Sequence, residues 1–200
     1  MRIAVYGATG MVGSRIAAEA RSRGHEVTGI SRTGGDGLVQ GDASDKAFAA
    51  DVAARHDVVV SALGPSRTHD DGTAFQDSVA NLVATLGDAR LVVVGGAGSL
   101  QVDGVALFDT AGFPPEYQTE ARKSAAVLAA LRELPASVDW TYLSPAPVIA
   151  PGERTGAYEV GGESPVGDTI SAEDYAVALV DEIERPQHLR ARFTVASRRH

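Results

Sequence analysis

The sequence predicts a doubly wound α/β fold, a parallel sheet covered by helices on both faces. Three observations carry that expectation. Short apolar runs rich in β-branched residues recur along the chain, amphipathic helical patterns alternate with them, and a glycine-rich turn joins the first run to the first helix.

The elements follow in order. RIAVY at residues 2–6 reads as the first strand, GATGMVG at 7–13 as the turn, and MVGSRIAAEARSRG at 11–24 as a helix closed by Gly24. EVTGI (26–30) is the second strand and LVQGD (38–42) a weaker candidate, with DVVVSAL (57–63) after it. Phe75, Val79, Leu82, Val83 and Leu86 make one helical stripe, and RLVVVGG (90–96) the strand after it. Val127, Leu128, Leu131 and Leu134 form the next stripe, before DWTYL (139–143). The last helix carries Ala176, Leu179, Val180 and Ile183. It opens on SAED, where Ser171 and Asp174 stand three apart as in a capping box, and RFTVA (192–196) ends the series. Several runs are apolar on both faces, as strands of a doubly covered parallel sheet should be.

Two segments break the rhythm. Residues 97–116 and 145–170 are rich in Gly and Pro, exceed the usual connection length, and follow candidate strands. Loops at the carboxyl ends of strands build the ligand site of an open α/β sheet, so the substrate pocket is expected there. No repeat or linker marks a boundary, and one domain over residues 1–200 is expected.

Bulk composition narrows the function. A net charge of −8 leaves no broad basic face, so no nucleic-acid partner is expected. The absence of cysteine excludes disulfides, thiolate metal sites and cysteine nucleophiles, and no His, Asp and Glu cluster has metal-ligand spacing. With no signal-peptide pattern and no run near the roughly 20 apolar residues of a membrane span, a cytoplasmic protein without membrane contact is expected, as monomer or homodimer.

The glycine turn carries the chemistry. In a strand–GxxGxxG–helix context Gly7 permits the sharp turn, Gly10 lets backbone approach a pyrophosphate, and Gly13 brings helix and sheet together. The helix N-terminus adds free N–H groups and the positive end of its dipole. Gly7, Ala8, Thr9, Gly10, Met11, Val12 and Gly13 are therefore candidate dinucleotide contacts of a Rossmann-like domain. Strand two ends in Ser31, Arg32 and Thr33, without the acid that usually holds a ribose 2′-OH. Arg32 suits a 2′-phosphate, so NADP(H) is the expected cofactor, with NAD(H) admitted.

Beyond this point the chain resembles a known group. GATGMVG, the GD of Gly41 and Asp42, SALGP at 61–65, GGAGSL at 95–100, DWTYLSPA at 139–146, PGERTGAY at 151–158 and ISAEDYAVALVDEIE at 170–184 are similar to the NAD(P)H-binding atypical short-chain dehydrogenase/reductases. Within these the resemblance is to small NADH:flavin reductases, biliverdin reductase B-like proteins and NmrA-like proteins. It implies that Asp42 lies near the adenine and that Ala62, Leu63 and Gly64 line the cofactor. It also implies that Ser99 occupies the place of the superfamily's active-site serine.

The pattern departs at the YxxxK dyad, in which lysine one helical turn from tyrosine assists proton transfer. Tyr117 is followed at i+4 by Ala121, and Lys123 at i+6 is about 600° round a helix from it. Ketone reduction needs a positioned proton donor, whereas a flavin, quinone or bilin takes hydride to give a delocalised anion that solvent can protonate. The expected activity is hydride transfer to such a planar acceptor, with Ser99 and Tyr117 as candidate catalytic residues. A non-catalytic NADP(H) sensor is the alternative. His25 and His56 read as turn residues before strands, and His69 as a residue near the substrate entry. Tyr142 and Tyr158 read as core-edge or substrate-facing, and Arg154 as an anion contact or a solvated charge.

Overall fold

The computed structural model describes residues 1–65 and 72–198. In chain order it comprises β1 (Arg2–Tyr6), α1 (Met11–Ser22), β2 (Glu26–Ser31), β3 (Leu38–Gln40), α2 (Lys46–Arg55), β4 (Val58–Ser61), α3 (Ala74–Ala84) and β5 (Arg90–Val94). Then come β6 (Gln101–Val102), β7 (Val105–Ala106), α4 (Gln118–Arg132), β8 (Trp140–Pro145), β9 (Val148–Ala150), β10 (Tyr158–Gly161), β11 (Thr169–Ser171), α5 (Ala172–Glu184) and β12 (Ala191–Ser197).

Eight strands form one sheet in the order β3-β2-β1-β4-β5-β8-β12-β10. Every neighbouring pair from β3 to β12 is parallel, and β10 closes the edge antiparallel to β12. The expected parallel sheet therefore gains one antiparallel edge strand. The chain steps outward from β1 to β3 and crosses back to β4, so the order reverses between β1 and β4. In this architecture such a reversal places the ligand crevice above the carboxyl ends of the two strands.

Alternation along the strands divides the core into two layers of one domain. Ile3, Val5, Val60, Val92, Leu143 and Phe193 pack beneath α1 and α5. Ala4, Tyr6, Val59, Leu91, Trp140 and Tyr142 pack beneath α2, α3 and α4. These strands are buried on both faces, which explains their unbroken apolar runs. Ser171 caps α5 by accepting from the Asp174 amide at 3.0 Å, the interaction that SAED suggests.

Three features escape the periodicity. α2 buries only Ala49, Val52 and Ala53, a stripe too small to stand out, although Asp45 caps its start by accepting from the Ala47 and Phe48 amides. Segment 97–116, expected as an irregular loop, holds the β6–β7 hairpin, whose Asp103-Gly104 turn has positive φ at both residues, and two short 3₁₀ turns. Segment 145–170 holds β9, β10 and β11, strands of three or four residues whose pairing comes from distant parts of the chain. Among the described residues no helix is long and apolar enough to cross a membrane.

Candidate functional site

The crevice is built around the turn after β1. Gly7 has φ +78°, and a β-carbon on it would lie 2.5 Å from the Ala62 carbonyl oxygen. A β-carbon on Gly13 would lie 2.2 Å from the Gly7 carbonyl oxygen, so α1 rests directly on the turn. Gly10 meets only that same carbonyl, at 3.3 Å, and its outer side is open. The amides of Gly7 and Ala8 both donate to the Ile30 carbonyl, at 3.1 and 3.2 Å, which ties the turn to the end of β2. Helix α1 has neither a side-chain cap nor an acid in its first turn. The amides of Met11, Val12 and Gly13 consequently point out of the helix end with no intrahelical partner, a site suited to an anion.

The other predicted dinucleotide contacts gather round this turn. The Ala62 amide donates to the Tyr6 carbonyl at 3.0 Å, which seats Ala62, Leu63 and Gly64 beside Gly7. Ser31 spends its hydroxyl on the Gly34 carbonyl at 3.1 Å and is buried, so its side chain shapes the turn that presents the exposed Arg32 and Thr33. Asp42 accepts from the Ser44 amide and hydroxyl, each at 2.8 Å. Those bonds, helped by the nearby Arg32 charge, hold its carboxyl below the usual carboxylate range. Arg32 follows β2 and Asp42 follows β3, close enough for the Arg32 charge to act on the Asp42 carboxyl.

The two candidate catalytic residues lie after β5. Tyr117 stands at the start of α4, 49 % exposed, with no partner for its hydroxyl among the described residues. One turn on, Ala121 packs on Gly98, where a β-carbon would sit 2.5 Å from the alanine methyl. Ser99 is half-buried, and its hydroxyl and carbonyl oxygens accept from Arg192, at 3.1 and 3.3 Å. Sequence reasoning missed Arg192; its only signal is a charge inside the apolar run RFTVA.

Several remaining candidates have structural partners. Arg154 donates two bonds of 2.7 Å to the buried Glu19 of α1, which resolves its reading in favour of neither an anion contact nor a solvated charge. Around it the Gly152 amide binds Glu173, and the Thr155 and Gly156 amides bind Asp174. Residues 151–157 are thus strapped to α1 and α5, and this part of the expected substrate segment lies on the helical face. Tyr142 is buried, donates to the Ser124 carbonyl and accepts from the Gly96 amide, both at 3.1 Å; burial pushes its pKa up to about 12. Tyr158 donates to Asp181 at 2.5 Å, and its pKa is raised by burial and that bond. His25 pairs with Glu184 at 2.9 Å, and His56 lies between the Val52 carbonyl and the Thr28 hydroxyl, at 2.7 and 2.8 Å. His69 lies outside the described residues. Among the described residues no group of three or more His, Asp or Glu could hold a metal ion.

A family profile described as NAD(P)H-binding matches residues 7–186. The uncharacterised protein YwnB of Bacillus subtilis is 40 % identical over 98 % of this chain and 99 % of its own. A crystal structure of a protein from Streptococcus pneumoniae, provisionally named an NADH-flavin reductase, has a TM-score of 0.91 at 35 % identity, covering 99 % of this chain and 100 % of its own. Another, from Burkholderia pseudomallei and provisionally named an exported protein, has a TM-score of 0.87 at 42 % identity, covering 98 % and 99 %.

Proposed function

The chain belongs to the NAD(P)H-binding family, and from that premise we propose that it is a reductase passing hydride to a small planar conjugated acceptor such as a flavin, quinone or bilin. One observation carries this reading: the position where a dyad lysine would follow Tyr117 is filled by Ala121 packed on Gly98. Chemistry that needs a tyrosine activated by that lysine is disfavoured, and chemistry that leaves a delocalised anion is not. Exposed apolar side chains at the same end of the sheet support a flat acceptor. Met11 starts α1, Tyr117 starts α4 and Val148 follows β8. The name of the Streptococcus pneumoniae neighbour points the same way.

In this reading the first-turn amides of α1 hold the pyrophosphate, and Ala62, Leu63 and Gly64 wall the cofactor. Arg32 pairs with a 2′-phosphate, which favours NADPH over NADH. The nicotinamide, when bound, supplies the hydride. Ser99 orients the acceptor or the carboxamide, Tyr117 flanks it, and holding the two rings together is the main catalytic contribution.

The missing dyad equally favours a second reading, a non-catalytic NADP(H) sensor. Oxidation of NADPH and NADH, followed by near-UV absorbance with FMN, a quinone and a bilin as acceptors, separates the two. Saturable, protein-dependent turnover supports the reductase. Saturable NADPH binding without turnover of any acceptor supports the sensor.

A further inference from the structure

Arg192 is a charge in an apolar place. It sits in β12, in register with Tyr142 of β8, and points to the α4 side of the sheet with its side chain 1 % exposed. Burying a guanidinium is costly unless its N–H groups are paired, so the partners show what it serves. One terminal nitrogen donates to the Ser99 hydroxyl and the other to the Ser99 carbonyl and the Glu163 carboxylate, while Nε is buried without a partner. Glu163 is also bound by Arg132 of α4 at 2.7 Å, and its carbonyl accepts from the Gln101 amide at 2.8 Å. The loop after β5 is therefore gripped at Ser99 and Gln101 from the far side of β8.

We propose that Arg192, backed by Glu163, is a positioning residue for Ser99, turning the serine hydroxyl into a fixed donor toward a carbonyl oxygen or ring nitrogen of the bound acceptor. This rests on the reductase reading above. A hydroxyl has one hydrogen to give and lone pairs to receive. With Arg192 donating into the oxygen, that hydrogen is left over, and no described residue accepts it. Ser99 itself is only half-buried. The cation that Ala121 excludes from the usual helical position is thus supplied by the last strand, acting on serine instead of tyrosine.

The test is a double-mutant cycle on the full chain, using Ser99→Ala, Arg192→Lys and the double variant. Two readouts are taken: NADPH-driven FMN reduction, and FMN affinity for the NADP⁺-loaded protein by fluorescence quenching. Each single variant is expected to lose about tenfold in FMN affinity and kcat/KM with NADPH affinity unchanged, and the double variant to lose no more than Ser99→Ala alone. Independent losses that multiply in the double variant, or an Arg192→Lys protein with unchanged FMN affinity, overturn the proposal. If the wild type binds FMN and reduces neither it nor a quinone or bilin, the reductase reading falls and the binding cycle still decides the role of Arg192. If it binds no FMN, the cycle is read with the quinone or bilin that it does bind, and if it binds none of the three, both fall. Should Arg192→Lys fail to fold, Glu163→Gln at a half-exposed position runs the same cycle, and it must change FMN affinity with Ser99 present and not in its absence.

Discussion

Ala121 and Gly98 touch so closely that a β-carbon on the glycine would lie 2.5 Å from the alanine methyl and 3.4 Å from its α-carbon. The contact joins α4 to the loop after β5, at the helical position where a lysine would otherwise serve Tyr117. Ala121→Lys is therefore expected to destabilise the protein by about 1–3 kcal/mol through overpacking, without creating alcohol oxidation. Thermal melts and assays with NADP⁺ and simple alcohols check both halves. A variant as stable as wild type that oxidises alcohols would show the dyad lost by drift and not by packing.

The turn after β1 has equally little room. Gly13→Ala puts a methyl group 2.2 Å from the Gly7 carbonyl oxygen, with backbone on both sides of the clash. The expected result is about 1–3 kcal/mol of lost stability, and NADPH affinity reduced as α1 is pushed off the turn. Urea denaturation and nicotinamide fluorescence titration measure the two effects. Unchanged affinity would remove the first turn of α1 from the cofactor site.

Arg32 is exposed just after β2, and its charge acts on the Asp42 carboxyl. Arg32→Ala is expected to cost NADPH about 10–150-fold in affinity, the worth of a charge-assisted hydrogen bond, and to leave NADH nearly untouched. An unchanged ratio of the two dissociation constants would end the case for a 2′-phosphate contact.

How much of this was legible in the sequence follows from the physics of each element. The strands of the central sheet announce themselves because burial on both faces favours apolar residues at successive positions, as in the VVV that opens β4. The glycine turn is legible because Gly7 and Gly13 are required by contacts close in sequence or fixed by the fold class. α2 is not, since alanines carry its buried face. β9 and β11 pair residues some twenty positions apart, and no local pattern encodes that partnership. The setting of Ser99 was hidden for the same reason: its partner Arg192 is 93 residues away.

Arg154 could not be assigned from PGERTG alone, and its true partner gives a pH-dependent prediction. Its two hydrogen bonds to Glu19, opposed by burial and supported by Arg23, lower the Glu19 pKa from 4.5 to about 2. A carboxyl group whose pKa falls on folding stabilises the protein above its unfolded value, and that stability is lost as pH drops through the folded value. The strap between residues 151–157 and α1 should therefore hold at neutral pH and weaken from about pH 4.5 down to about 2. Arg154→Ala is expected to cost about 1–2 kcal/mol at pH 7, less than a fully buried pair, because Arg154 is 54 % exposed and Arg23 remains on Glu19. The gap between variant and wild type should close as the pH falls through that window, since protonated Glu19 no longer needs its partner. Urea denaturation across the range decides the matter: a gap that stays constant with pH would mean that Arg154 acts through packing of its alkyl stem and not through the charge on Glu19.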